Sequence, residues 1–176
     1  MPVEKEPGCR YAHPGYELNG TRCVVIVRQA TLDELPDLSD LCLRSKAVWG
    51  YDQAFLEACR SELALRPDEL ATTRIAVAET DGGIAGVVQI KVMGTDAELL
   101  KLFIAPHGLR RGLGRTLFNW AAVEAKHMGA THLLIEADPD AAPFYRRLGA
   151  HDVGVAISQS IPGRTLPKLR FEITNV

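Results

Sequence analysis

No stretch of the 176-residue sequence approaches the ~18 to 20 consecutive apolar residues that a membrane-spanning helix requires. The opening MPVEKEPGCRYAHPGYELNG also lacks the apolar core of a signal peptide, so a cytoplasmic protein is expected. Charge of one sign is scarce: 20 Lys and Arg stand against 22 Asp and Glu. A formal net charge of -2 excludes bulk attraction to nucleic acid or to anionic lipid, so any anion site must be local. The four cysteines, Cys9, Cys23, Cys42 and Cys59, form no C-x-x-C pair and have no histidine at metal-ligand spacing. Zinc and dithiol redox chemistry are therefore set aside, no metal is expected, and buried free thiols are the simpler expectation. His13, His107, His127, His132 and His151 are scattered and pair with no nucleophilic Ser or Cys in a recognisable motif.

What remains is the composition of a globular domain, 47% hydrophobic and 24% charged. A chain of this length buries roughly 70% of its unfolded surface without disulfides or metal, so one core is expected. Residues 1–22 are Pro/Gly-rich and read as a loose arm, or as one that docks through Tyr11 and Tyr16; residues 23–176 form the domain.

The β-branched run Cys23 to Arg28 suits a strand, and Thr31 with Glu34 forms a capping box for a helix through Leu43 or beyond. "WGYD" breaks that helix, and Asp52 caps a second that Pro67 stops. RIAVAET and IAGVVQIKV flank the turn DGG as a hairpin, and AELLKLFIA is a third strand ended by Pro106. Leu113, Leu117, Trp120, Ala121 and Met128 recur at helical spacing before Gly129, and THLLIEA follows as a strand, which suggests a parallel crossover. Pro139 opens a short helix ending near Gly149, and two strands, about His151 to Ser158 and Leu166 to Ile173, close the chain. The order predicts an α/β domain with a mixed sheet.

The densest feature is PHGLRRGLGRTLF, residues 106–118, a loop with three glycines and three arginines entering a helix. Gly112 and Gly114 lack Cβ, so backbone N–H groups can approach a ligand closely. A helix N-terminus favours an anion, and Arg110, Arg111 and Arg115 add full charges, so phosphate is the natural guest; the alternative is a solvated basic helix start. A Walker loop would need glycine at Leu109 and lysine at Arg115, and a dinucleotide fingerprint would need a small residue at Leu117. Neither fits.

The segment Leu109-Arg110-Arg111-Gly112-Leu113-Gly114 resembles the [QR]-x-x-G-x-[GA] loop of the GNAT superfamily of N-acetyltransferases, with Leu109 in place of Gln or Arg. DPDAAPFYRRLGA resembles that family's N-x-x-A-x-x-[FL]-Y-x-x-x-G-[FA] block, and LLKLFIAP looks like the strand before the loop. The resemblance spans roughly residues 99–150. It implies a single-domain GNAT-like fold, a mixed sheet flanked by helices and splayed at an acyl-coenzyme A cleft between Leu102–Ile104 and His132–Glu136. It implies acetyl-CoA as cosubstrate, with Leu102, Phe103, Ile104, the loop from Leu109 to Arg115 (through Arg110, Arg111, Gly112, Leu113 and Gly114), Asp138, Phe144 and Arg147 contacting the coenzyme. Leu109 would contribute its backbone N–H. Backbone N–H groups near Phe103 or Ile104 would stabilise an oxyanion, and Tyr145 would protonate the departing thiolate.

An alkylamine with a pKa near ~10.4 must lose a proton before or during attack. Glu98, where histone-type relatives carry a glutamate, is the candidate base, directly or through water; the alternative is a solvated carboxylate. Trp49 and Tyr51, beside Asp52 at the helix break, could receive a cationic amine, although Trp49 could equally plug the core. Arg164, in SIPGRTLP, is either a surface-turn charge or a clamp for an acceptor carboxylate. Together these give an N-acetyltransferase acting on a primary amine of a small or amino acid-like molecule, with a homodimer as a further expectation. The alternative is a non-catalytic acyl-CoA-binding sensor or assembly module.

Overall fold

The computed structural model describes residues 24–173 and, as backbone alone, the pieces Tyr11–His13 (β1), Glu17–Leu18 (β2) and Thr21–Arg22 (β3). Most of the expected arm, with Cys9 and Tyr16, lies outside the described residues, as does Cys23 at the start of the domain. β1 runs antiparallel along β4 (Val25–Gln29), and β2 pairs with β3 as a separate ribbon.

Thr31 and Glu34 form the expected capping box around a turn of 3-10 helix, Leu32–Glu34, which leads into α1 (Leu35–Ala47). Gly50, at φ 79, breaks the chain, and the Asp52 carboxylate accepts the Phe55 N–H to start α2 (Gln53–Leu63). A short helix not anticipated from sequence, α3 (Glu69–Thr72), precedes β5 (Arg74–Thr80). β6 (Gly83–Met93) and β7 (Asp96–Ile104) complete the meander, and α4 (Leu113–His127) crosses to β8 (His132–Glu136). α5 (Ala142–Arg147), β9 (His151–Ile157) and β10 (Thr165–Glu172) finish the fold.

The expected start of α5 is corrected. The Asp138 carbonyl accepts both the Ala141 and Ala142 N–H groups, at 2.9 and 3.0 Å, so residues 139–141 form a turn. The helix then starts at Ala142, with Pro143 in its first turn, where a missing N–H costs nothing. Met128 caps α4 and is exposed, so the buried stripe of that helix runs through Leu113, Leu117, Phe118, Trp120, Ala121, Ala122 and Ala125 instead.

The strand order is β1-β4-β5-β6-β7-β8-β10-β9, antiparallel except for the β7/β8 pair. Both faces of this mixed sheet are covered. On one, α4 and α5 pack against Ala76, Ala78, Val88, Leu133 and Leu169; on the other, α1 and α2 pack against Ile75, Val77 and Val87. Burial on both sides explains why RIAVAET and IAGVVQIKV read as continuous apolar runs rather than alternating ones. Cys42 and Cys59 are buried free thiols, as expected, and burial pushes the Cys42 thiol up to about 12. Among the described residues no helix is long and apolar enough to cross a membrane.

Two irregularities in β7 position the site. It pairs with β8 only from Asp96↔His132 to Leu99↔Ile135, after which the two strands part. At the same point its register with β6 slips, Gln89 facing Lys101 while Ile90 faces Leu99, which leaves Leu100 as a bulge. The bulge also exchanges faces: Ala97 and Leu99 pack toward α4, and beyond it Leu102 and Ile104 do so while Phe103 turns to α1 and α2.

Candidate active site

The gap left by the split opens into a cavity of about 480 Å³. One wall includes Leu102, Phe103, Ile104, Leu109, Arg110, Gly112, Gly114, Phe144, Tyr145 and Arg147; the other includes Lys46, Trp49, Cys59, Glu62, Lys101 and Arg164. The Ala105 N–H donates to the Ala85 carbonyl at 2.9 Å, in line with the β6 ladder. Strand alternation then turns the N–H groups of Leu102 and Ile104 toward the open side and that of Phe103 toward β6.

The loop after β7 has the conformation an anion cradle needs. Gly112 caps α4 at φ 77 and Arg110 sits at φ 61, both left-handed. The first helical bond is from the Thr116 N–H to the Gly112 carbonyl at 3.1 Å, so the N–H groups of Leu113, Gly114 and Arg115 precede it and have no partner within the helix. A Cβ on Gly114 would stand 3.2 Å from Phe144, so glycine lets the α5 ring close against the loop. Among the described residues Arg110, Arg111, Arg115 and Arg147 have no acidic partner, whereas Arg146 is paired with Asp152.

Several expected contacts are redistributed. The Leu113 side chain is buried in the core, and Arg111 and Arg115 are exposed at the helix start outside the cavity wall. Leu109 keeps its side chain on the wall, but its N–H is turned to the Pro106 carbonyl at 3.4 Å, because the 3-10 turn Pro106–Gly108 closes there. Glu98 lies where β7 is still paired on both sides, opposite Lys91 and Leu134, and is not on the cavity wall. Glu98 shares the α1/α2 face with Lys101, but it sits before the split, where β8 still pairs with β7.

Tyr145 lines the cavity from α5, its ring held by Phe144 and Phe118 at centroid distances of 5.1 and 6.0 Å. Burial raises its phenol above the ordinary range, and among the described residues its hydroxyl has no hydrogen-bond partner.

The opposite wall carries a network of four side chains. The Asp138 carboxylate accepts the Tyr51 hydroxyl at 2.9 and 3.0 Å, the Lys46 ammonium at 3.2 Å and the Arg164 guanidinium at 3.1 Å. Arg164 also donates to the Tyr51 oxygen at 2.7 Å. Tyr51 stacks on Phe55 at 4.1 Å, with Lys46 and Arg164 against both rings. Burial opposes ionisation of Asp138, and Lys46 with the bonds from Tyr51 and the Asp140 N–H outweighs it, holding the carboxyl below its ordinary value.

Sequence reasoning placed Asp138 with the coenzyme and Tyr51 and Arg164 with the acceptor; the structure joins them. Arg164 is no free surface-turn charge, and Trp49 does not plug the core: it is 50% exposed at the cavity wall. Asp52 is occupied as a helix cap. Lys46 and Lys101 were missed. A lysine inside LLKLFI was the available signal for Lys101, since a charge in an otherwise apolar strand needs a reason. Among the described residues no group of side chains could hold a metal ion.

Comparison with known proteins agrees with this geometry. Residues 71–149 match the acetyltransferase (GNAT) domain family. The chain is 32% identical over 135 residues to the peptidyl-lysine N-acetyltransferase YiaC of Escherichia coli (strain K12), across 74% of this chain and 86% of that protein. Its fold is similar to that of the PaiA N-acetyltransferase from Thermoplasma acidophilum, solved with coenzyme A, at TM-score 0.67 and 17% identity, covering 84% of this chain and 98% of that one. It is also similar to the ribosomal-protein-S18-alanine N-acetyltransferase from Escherichia coli, at TM-score 0.64 and 18% identity, covering 85% and 94%. With a split sheet, a glycine-capped arginine loop and these relatives, the chain belongs to the GNAT family and is an N-acetyltransferase that uses acetyl-CoA.

Proposed function

We propose that this enzyme moves the acetyl group of acetyl-CoA directly to a primary amine of a small, amino acid-like acceptor. The observation that carries the acceptor class is the half-buried Lys46–Tyr51–Asp138–Arg164 network. It puts a fixed, oriented and internally matched set of charges on the cavity wall opposite the loop, a rigid polar surface suited to a small charged acceptor.

On the donor side, Gly112, Gly114 and the free N–H groups at the start of α4 bind the pyrophosphate, with Arg110, Arg111, Arg115 and Arg147 supplying charge. Leu102 and Ile104 pair their backbone with the pantetheine amides in the gap that β8 leaves. The Ile104 N–H stabilises the developing oxyanion. Tyr145, kept neutral by burial, donates to the departing thiolate. Glu98, off the cavity wall, takes the amine proton through water rather than by direct contact. The exposed apolar edge of β9, with Val153, Val155 and Ile157 at 46, 72 and 72%, supports pairing with a second copy.

A second reading, a lysine side chain within a peptide, draws support from the likeness to YiaC. One assay separates them: release of coenzyme A thiol is followed with a panel of free amino acids, simple amines and lysine-containing peptides. Turnover of a free amino acid supports the small-acceptor reading, and turnover of peptides alone sinks it.

A further inference from the structure

Among the described residues Lys101 is a buried lysine with no carboxylate against it. It is 7% exposed, lies just past the β7 bulge, and lines the cavity on the side of α1 and α2 with Ser45, Cys59 and Glu62. Its ammonium donates to the Gln89 side-chain oxygen at 3.0 Å. The Gln89 amide donates to the Thr73 hydroxyl at 3.2 Å, and Thr73 donates to the Glu69 carbonyl at 2.7 Å. Gln89 and Thr73 are themselves buried, so this chain fixes the lysine in place and orients one of its three N–H groups. No acidic side chain forms an ion pair with Lys101 among the described residues; Glu62 accepts from the Ser160 hydroxyl, and Asp138 is taken by Lys46 and Arg164.

A buried cation without a counter-ion is costly, and the common solutions are a partner anion or loss of the proton. Burial does lower the proton affinity of Lys101, and Glu69 and Glu62 oppose that from a distance. The two remaining N–H groups have the cavity as their available outlet. We infer that Lys101, positioned by Gln89, is the anchor for a carboxylate on the acceptor, and that the enzyme therefore selects amines that carry an acid. This rests on the small-acceptor reading above and sharpens it: Arg164, spent on Asp138 and Tyr51, shapes the wall, and Lys101 supplies the unneutralised charge.

The test compares the acid and the carboxamide of each of glycine, β-alanine, γ-aminobutyrate, glutamate and lysine at saturating acetyl-CoA, in the wild type, Lys101→Met and Lys101→Arg. Wild type is expected to favour the acid by roughly tenfold or more in kcat/KM, as expected for a charged partner in a desolvated site. In Lys101→Met the preference falls to within about twofold, through KM, and Lys101→Arg restores part of it. Calorimetric affinity for acetyl-CoA in the variants reports that the fold is intact. An acid preference that survives in Lys101→Met, or acid and amide used alike by the wild type, overturns the role of Lys101 and leaves the small-acceptor reading standing. Acetylation of lysine peptides with no free amino acid accepted overturns that reading, and this inference with it.

Discussion

The two walls of the cavity are built on different principles. The donor wall uses backbone: N–H groups at the start of α4, a glycine in the left-handed region, and strand edges freed by the split. Among the described residues its arginines, Arg110 and Arg147, have no acidic partner. The opposite wall uses side chains, and almost every charge on it is already matched to another, Asp138 alone serving Lys46, Tyr51 and Arg164. A site for a common cosubstrate needs geometry that any sequence with the right glycines can adopt. A site that selects one amine needs particular side chains, held rigidly by partners so that their charge is oriented before the acceptor arrives.

The largest way to break the contrast is at the loop. Gly112→Asp places a β-carbon at φ 77 and a negative charge in an anion cradle, and should weaken acetyl-CoA binding by about 100-fold or more in calorimetry while leaving acceptor-side contacts untouched. On the other wall, Asp138→Asn leaves Lys46 and Arg164 without their anion and should cost on the order of 2 kcal/mol in denaturant unfolding at pH 7. Because the Asp138 carboxyl is held below its ordinary value, its contribution is complete above an unfolded value near ~3.9 and fades as pH falls through the lower folded one. The gap between wild type and Asp138→Asn should therefore close in acid, and a gap constant down to pH 2 would contradict the ionised network.

Tyr145→Phe tests whether the donor wall also carries chemistry. A fall in kcat of about 10- to 100-fold with acetyl-CoA affinity kept is expected, and a kcat unchanged would reduce Tyr145 to packing. Gly86→Ala reaches the cleft from below, because its Cβ would stand 2.8 Å from Ile104 Cδ1, 2.9 Å from Leu117 Cδ1 and 3.2 Å from the Phe103 carbonyl. A loss of about 1 to 2 kcal/mol, with weaker acetyl-CoA binding through the displaced Ile104, is the expected result of that overpacking. The smallest effect is at Arg115→Ala, a twofold to fivefold loss of acetyl-CoA affinity that shrinks in high salt, since an exposed charge is screened.

Most of the fold was legible in the sequence because its signals are local. The Thr31/Glu34 box, the Asp52 cap, the turn after Thr80 and the glycines at 112 and 129 are each read from a few neighbouring residues. The same holds for the loop wall of the cavity, whose loop and preceding strand are one stretch of chain. The facing of residues along β7 was not legible. A bulge at Leu100 adds a residue to one strand with no composition cue, and it decides which face Glu98 and Lys101 occupy.

The sequence alone therefore determined the order of the main helices and strands and the glycine-arginine loop at the start of α4, since helical caps, periodicity and left-handed turns are properties of short segments. It also named Tyr51, Asp138 and Arg164 as separate candidates. Only the tertiary structure decided that these three meet Lys46, 5 to 118 residues away along the chain, in one half-buried network, and that among the described residues Lys101 is left without a counter-ion. Charges find partners through space, at distances of about 3 Å set by how helices and strands stack, and that stacking is a property of the whole chain.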